Sequence, residues 1–199
     1  MKFRKLVRLL LPLLLAACAK PQPPVANRIS AAPDLSNMGV LVLPVHPGAV
    51  PAAPVTAPGE VRLDGVNDLD AEIMYWLRER GGAVRWVFPD AIERMLSRTP
   101  ALNVKPRALD VAIFRRARVE RIGDPLFGDL KRLASVLDAR FALVPVAAEY
   151  KPASNRIESA FALIDTTFGD VVWFGVLAGD SPADLAQRTA SLFSPARRQ

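Results

Sequence analysis

The chain has 199 residues, of which 51% are hydrophobic, with one cysteine and a formal net charge of +6. This length suits one domain with a sizeable core, and a single cysteine excludes an intramolecular disulfide framework. Four of the 26 basic residues, Lys2, Arg4, Lys5 and Arg8, lie at the amino terminus. The rest of the chain carries about +2, and this near balance excludes nucleic-acid binding through bulk charge.

The amino terminus has the pattern of an export signal. After the basic residues, an apolar run from Leu9 to Ala19 is interrupted only by Pro12. At about 1.5 Å per helical residue, this run falls far short of a bilayer core of about 30 Å. A basic start, a short apolar segment and small residues before a cleavage site indicate a signal peptide over residues 1–17.

The end of this signal, Leu15-Ala16-Ala17-Cys18, resembles the lipobox of bacterial lipoproteins. The resemblance implies that Cys18 becomes the first mature residue and carries a covalent diacylglycerol and an N-acyl lipid. In that family an aspartate after the cysteine favours the inner membrane, so Ala19 implies the outer membrane, facing the periplasm. The alternative is an ordinary secretory signal with an incidental cysteine. We expect no other cofactor and no metal.

The sequence from Cys18 onward divides into a proline-rich segment, one domain and a short tail. Ten of the 18 prolines fall within the first 58 residues. Residues 18–37 lack hydrophobic periodicity, which predicts an extended, Pro-rich, lipidated tether. A single α/β domain is expected over residues 38–194, and residues 195–199 form a frayed tail. Within the domain, residues 46–60 form a long Pro/Ala loop, and loops of this length are often functional or disordered.

The predicted elements begin with Met38–Val45, a strand that is apolar on both faces and therefore buried on both sides. Asn67 or Asp68 is expected to cap the first helix. This first helix is predicted over residues 68–80 and is followed by a strand over 83–88. Three more helices are predicted over residues 89–99, 107–121 and 124–139. The last of them is expected to be capped by Asp124, with Pro125 at its first position.

The carboxyl-terminal third predicts three strands and a helix. Residues 140–150 are apolar on both faces, which indicates a central strand, and residues 155–180 read as a hairpin. Gly169 supplies the positive φ that its turn needs. The last helix starts at Ser181-Pro182, with Asp184 completing a capping box. This order predicts an α/β fold: a two-layer or three-layer mixed sheet of about five strands flanked by helices, with an antiparallel hairpin and a closing helix.

Catalytic chemistry is difficult to find in the sequence. His46 is the single histidine, and it lies in the proline-rich loop, where we expect it to be solvated. The sequence has no second histidine, and a lipidated Cys18 would leave no free thiol with which to build a catalytic or zinc site. Carboxylates concentrate around the first helix, and capping and solvation explain most of them. The members of this acidic group are Glu60, Asp64, Asp68, Asp70 and Glu72.

The densest basic run offers a candidate binding site. On a helix, Arg115 and Arg118 share a face, as do Arg118 and Arg121, and Arg116 adjoins them. Such a face could contact lipid phosphates, peptidoglycan or another anionic glycan, or an acidic protein. The alternative is a solvated face that is offset by nearby acids.

The lipobox, the strand "VLVLPV", the unit "LKRLASVLDARFALVPV" and the hairpin "ALIDTTFGDVVWFG" together resemble a known group of envelope proteins. These are the CsgG-like lipoproteins of curli secretion, the related amino-terminal domain of TolB, and LpoB-like activator lipoproteins. The resemblance covers roughly residues 38 to 193 and implies a binding and assembly module without active-site residues. An extra pair of membrane-spanning hairpins, as in the curli secretion protein, is not evident.

Three functions remain open at this point. The favoured one is a non-catalytic module that is anchored in the outer membrane and binds an envelope protein or a second copy of itself. The second is a subunit of an oligomeric CsgG-like export channel. The third is an envelope hydrolase that uses Asp64, Asp68 and Asp70 as its carboxylates.

Overall fold

The computed structural model describes residues 32–46, 66–115, 119–151 and 153–194. In these ranges the strands and α-helices, in chain order, are β1 (Gly39–Val42), α1 (Val66–Arg80), β2 (Arg85–Val87), α2 (Pro89–Arg98), α3 (Leu126–Leu137), β3 (Phe141–Lys151), β4 (Arg156–Asp165), β5 (Asp170–Gly179) and α4 (Pro182–Leu192). Short 3₁₀ turns lie between α2 and α3 at Pro100–Leu102, Pro106–Ala108 and Ala112–Arg115.

The strands form one mixed sheet of five in the order β2-β1-β3-β4-β5. The strand β1 pairs in parallel with β2 and with β3, whereas β3, β4 and β5 pair in antiparallel fashion. The predicted fold class is therefore confirmed, as is the central position of β3. Parallel pairs occur where a helical segment separates the strands, and antiparallel pairs occur where a tight turn joins them.

Two apolar clusters cover the two faces of the sheet and make three layers. One cluster joins α1 and α4 to the sheet through residues such as Leu77, Leu185 and Phe161. The other joins α2 and α3 to the opposite face through Ile92 and Leu133. Successive residues of β1 alternate between the two clusters, which confirms that this strand is buried on both sides. None of the described helices has the length and apolarity needed to span a bilayer.

Packing begins before the expected start of the domain at Met38. Leu35 is only 2% exposed, and its carbonyl accepts a hydrogen bond of 2.9 Å from the backbone N–H of Met38. The chain therefore enters the core a few residues earlier than its hydrophobic pattern indicates. The predicted signal, tether residues 18–31 and tail lie outside the described residues.

The start of α1 differs from the prediction. The helix begins at Val66, so Asn67 and Asp68 lie in its first turn and do not precede it as caps. The carboxylate of Asp68 still lies near the positive end of the helix dipole, which is favourable there. The end of the helix agrees with the prediction, because Arg80 is its last residue and Gly81 follows directly.

The predicted helix over residues 107–121 is wrong. In its described residues the chain forms two short 3₁₀ turns, and Arg121 makes an antiparallel bridge to Asp170 beside β5. The physical reason is burial, because apolar residues at irregular spacing all enter the same cluster, which a single helical face cannot achieve. These residues are Leu109, Val111, Phe114 and Ile122.

The hairpin turn forms at the predicted glycine, whereas α3 starts one residue later than predicted. Gly169 has φ of 79°, the left-handed conformation predicted for it. Its N–H donates to the carbonyl of Asp165 at 2.8 Å, which closes the turn. At α3, Oδ1 of Asp124 accepts from the N–H of Gly128 at 3.0 Å. Pro125 immediately precedes the first helical residue, one position earlier than expected.

The closing helix α4 has Ser181 as its predicted cap, but the carboxylate of Asp184 bonds the N–H of Asp180 and not that of Ser181, as a capping box would require. Oγ of Ser181 accepts from the N–H of Asp184 at 3.1 Å, and Oδ2 of Asp184 accepts from the N–H of Asp180 at 3.1 Å. We expect Ser181→Ala to lower the free energy of unfolding by about 1 kcal/mol, as for other lost caps. Urea unfolding of the purified protein measures this.

A serine inside a helix provides the matched control for this cap. Oγ of Ser135 donates to the carbonyl of Lys131 within α3, and such bonds contribute little to helix stability. Ser135→Ala should therefore leave the free energy of unfolding within about 0.5 kcal/mol of its original value. Equal losses for Ser135→Ala and Ser181→Ala would mean that the cap makes no special contribution.

Candidate functional site

The carboxylates of the hydrolase alternative, Asp64, Asp68 and Asp70, are not brought together in the described residues. Glu60 and Asp64 lie outside them. Asp68 is exposed, whereas Asp70 is only 6% exposed. Residues two apart on a helix point about 200° apart, so these two carboxylates diverge. The structure therefore provides no paired carboxylates from Asp68 and Asp70.

Asp70 instead connects three parts of the fold. Its Oδ1 accepts from the N–H of Val45 at 2.7 Å, just after β1. Its Oδ2 accepts from Nη1 of Arg107 at 3.1 Å, in the segment between α2 and α3. Burial raises the pKa of Asp70 above its usual value, and the bonds from Val45 and Arg107 act in the opposite direction. This carboxylate holds α1 to the end of β1.

His46 is buried, which corrects the expectation of a solvated loop histidine. Its side chain is 6% exposed. It follows Val45, whose backbone is held by Asp70, and this attachment draws the end of β1 into the packed interior. Within the described ranges, no group of three or more metal-ligating side chains is found.

Of the arginine run, the structure describes the side chain of Arg121 alone. Arg116, Arg118 and the side chain of Arg115 lie outside the described residues. Arg121 lies beside β5, where its Nε donates to Oδ1 of Asp170 at 2.6 Å. This hydrogen bond raises the pKa of Arg121 further above its usual value. Cys18, the predicted lipidation site, is also outside the described residues.

An apolar surface that the sequence analysis did not single out lies on the hairpins. In β3, β4 and β5, alternate rows of directly paired residues face opposite sides of the sheet. Two of these rows face α1 and α4: one consists of Ala148, Ser159 and Leu177, and the other of Tyr150, Ile157 and Gly179. The intervening rows face the α3 side. We call this second surface the hairpin face; its residues are Ala147, Ala160, Val176, Glu149, Glu158, Ala178 and Phe174.

The two sides of the hairpins differ in how well they are covered. On the α4 side, Ser159 is 1% and Ile157 is 4% exposed. The helix approaches so closely that a Cβ on Gly179 would lie 2.5 Å from the backbone nitrogen of Leu185. On the hairpin face, by contrast, Phe174 is 38% exposed. The alanines and Val176 there are only half-buried, so the described chain leaves this face partly open.

Two phenylalanines lie where the covered part of this side of the sheet meets the open hairpin face. Phe114, from the last 3₁₀ turn, stacks on Phe174 with ring centroids 6.2 Å apart and planes 16° apart. Beside them, the start of β5 is paired along its outer edge, since the N–H of Val171 donates to the carbonyl of Glu120 at 2.8 Å. The hairpin face therefore begins at Phe174 and continues toward the tip of the β3–β4 turn.

Two glutamates lie opposite each other on this face. Glu149 of β3 pairs directly with Glu158 of β4, and like charges in this arrangement destabilise a sheet. Nζ of Lys151 donates to Oε2 of Glu149 at 2.6 Å. This hydrogen bond, with a weaker attraction from Glu158, raises the pKa of Lys151 above its usual value. In the adjoining row, Arg156 is directly paired with Lys151 across the strands and forms an ion pair of 3.0 Å with Asp180. Lys151 is therefore the cation left for Glu149 and Glu158, and a net negative charge remains beside the apolar rows.

A sequence signal for this surface exists in β4. The strand "RIESAFALID" places Glu158 and Ala160 on the face opposite to Ile157 and Phe161. That alternation identifies the less covered side of one strand. It does not show that β3 and β5 present alanines and a second glutamate in the same rows, because this depends on register.

In the described residues, the fold is an α/β domain whose sheet is partly open at the hairpin face. No protein-family model matches the sequence, and no curated protein matches it either. Among solved structures, the chain is similar to a dodecamer of a PelC variant from Paraburkholderia phytofirmans, at 15% identity over 83% of this chain and 96% of that chain, with a TM-score of 0.44.

Two further similar structures have lower identities. The LpoB C-terminal domain from Escherichia coli is 14% identical over 77% of this chain and 90% of that chain, with a TM-score of 0.44. Lipoprotein GNA1162 from Neisseria meningitidis is 11% identical over 72% of this chain and 81% of that chain, with a TM-score of 0.37. Because these TM-scores are below 0.5, we base the function on the residues of this chain alone.

Proposed function

We propose that this chain is a non-catalytic binding and assembly module of the cell envelope, held at the periplasmic side of the outer membrane by lipids on Cys18. The observation that carries the proposal is the hairpin face, where the described residues leave a half-buried apolar strip with an exposed Phe174. Such a contiguous apolar surface is characteristic of protein–protein contact.

The amino-terminal sequence supports the proposed location at the periplasmic side of the outer membrane. A lipidated Cys18 would place the domain within reach of one membrane, because residues 18–31 alone can extend to roughly 45 Å at about 3.3 Å per residue. The domain could then meet a partner away from the bilayer surface. Contact of the arginines at residues 115, 116, 118 and 121 with peptidoglycan or another anionic glycan is a secondary part of the proposal.

The test of this function is the mass of the complex in its native envelope. We expect the full-length chain, cross-linked in intact cells and extracted in detergent, to sediment as a discrete complex with another envelope protein. A large closed ring made only of this chain would instead support the export-channel alternative. A monomer of the processed chain, smaller than the 21.6 kDa of the 199-residue precursor, would contradict both if it persisted after efficient cross-linking.

The hydrolase alternative has its own test, which must leave Asp70 unchanged because Asp70 supports the fold. Combined Asp64→Asn and Asp68→Asn substitutions should leave complex formation and cellular function intact if the chain is non-catalytic. Loss of cellular function with an intact complex would support catalysis by these carboxylates.

A further inference from the structure

We infer that the hairpin face is the docking site for an amphipathic helix of a partner protein, and that this helix carries a lysine or arginine which meets the Glu149–Glu158 pair. The inference rests on the proposed function and gives the chemistry of the partner. It follows from the dimensions of the face, its side chains and its charge.

The dimensions of the hairpin face suit a helix. Three strands at about 4.8 Å spacing give a surface roughly 10 Å across, close to the diameter of a helix with its side chains. From the row of Phe174 to the row of Glu158, the face runs about 13 Å along β4. That length matches about nine helical residues. The covered part of the same side of the sheet is packed against α3, also a helix.

The side chains of the face also suit a helix. Ala147, Ala160 and Ala178 keep the centre of the face low, while Phe174 forms a wall at one end. Larger apolar side chains of a partner helix, at every third or fourth position, can enter this trough without displacing the strands. The outer edge of β5 near Phe174 is already paired with residues 120–122, so strand addition is less favoured at that end.

The charge of the face identifies the cation. Glu149 and Glu158 face each other across the strands, and Lys151 is hydrogen-bonded to Glu149. Glu158 thus has a like charge as its direct neighbour. A partner cation placed between the two carboxylates would remove this repulsion, and burying the apolar rows beside them would strengthen the attraction. The free protein retains an unfavourable pair that docking would relieve.

The experiment uses the full-length lipoprotein in its native envelope, with photoreactive p-benzoylphenylalanine in place of Val176, Val136 or Phe168. Val136 on α3 is 49% exposed and Phe168 at the β4–β5 turn is 61% exposed, and both lie outside the hairpin face. We expect Val176 to give an adduct with another protein. Mass spectrometry should place the adduct in a segment with helical apolar periodicity and a lysine or arginine within about one turn.

Charge reversal then separates docking from folding. Glu158→Lys should reduce the adduct from the Val176 position about tenfold, while the free energy of unfolding stays unchanged or rises because the like-charge pair is gone. The matched control is Glu79→Lys, at an exposed position of α1, and this substitution should leave the yield of the adduct unchanged. Lysine-to-glutamate or arginine-to-glutamate reversal in the cross-linked partner segment should restore the adduct with Glu158→Lys.

Several outcomes would overturn the inference. These are an adduct between two copies of this chain, a cross-link only to residues 47–65 of the same chain, a partner segment without the predicted pattern, or an adduct insensitive to Glu158→Lys. Adducts from Phe168 or Val136 without one from Val176 would reject this docking site but leave the proposed function standing. No adduct from any of the three positions would reject both.

Discussion

Replacement of Asp70 by alanine is expected to lower the free energy of unfolding by about 2–3 kcal/mol. The substitution removes the acceptor of the buried Val45 N–H and the partner of Arg107. An unsatisfied buried donor alone costs about 1–3 kcal/mol. Because the side chain of Arg107 is 41% exposed, water can solvate it after the change, and the lost ion pair adds little. Urea unfolding followed by tryptophan fluorescence measures the loss.

Asparagine at the same position is the control that separates hydrogen bonding from charge. The amide oxygen of Asp70→Asn can still accept from Val45, so this variant should lose less than half as much stability as Asp70→Ala. Its pH dependence should also differ, because the pKa of Asp70 is raised in the folded protein. Because the carboxyl pKa is higher in the folded than in the unfolded protein, ionisation of Asp70 lowers the free energy of unfolding. This loss begins at a pH near the pKa of an aspartate in the unfolded chain, about 3.9.

The comparison with the asparagine variant therefore has a definite sign. As the pH rises from about 4 through the folded pKa, the wild-type protein should lose stability relative to Asp70→Asn. A relative gain over the same interval would mean that attraction from Arg107 outweighs burial. Equal stabilities of the alanine and asparagine variants at every pH would contradict the role assigned to the Val45 hydrogen bond.

The elements predicted correctly are those whose determinants lie close together in the chain. The turn at Gly169, the cap at Ser181 and the buried strand at β1 each depend on a few neighbouring residues. Local backbone conformation and alternation are sufficient there. The mixed sheet followed in turn from the order of these elements, since helical connections favour parallel pairing.

The errors occurred where distant contacts decide the structure. Residues 107–121 contain few helix breakers, yet their apolar side chains enter a cluster with α3 and their last residues pair with β5. The role of Asp70 likewise depends on Val45, which is 25 residues away, and on Arg107. Neither contact has a local signature, so composition alone favoured a solvated acid.

The hairpin face was missed for a related reason. Each of its strands has an ordinary alternating pattern, and only the register aligns Ala147 with Ala160 and Val176. Helical cover then reaches only part of that side of the sheet. A candidate binding surface of this kind is a property of pairing and coverage, whereas the predicted lipidation site is a contiguous sequence motif.

Replacement of Cys18 by serine is expected to produce the largest change in the behaviour of the protein in the cell. A serine hydroxyl cannot take the place of the thiol in the thioether to diacylglycerol. Acyl chains contribute about 0.8 kcal/mol per buried methylene, and two or more chains give a stable anchor. We therefore expect lipid labelling and membrane association to be lost, with the chain released as a soluble domain or as uncut precursor.

Metabolic labelling with a fatty acid and fractionation after a carbonate wash measure this outcome. Ala19→Ser is the matched control, because it alters the neighbouring residue and leaves the thiol in place; labelling and membrane association should persist. If Cys18→Ser remains in the carbonate-washed membrane without label, another part of the chain holds it there. That result would favour membrane contact by the domain itself, and the tethered position proposed for the hairpin face would no longer apply.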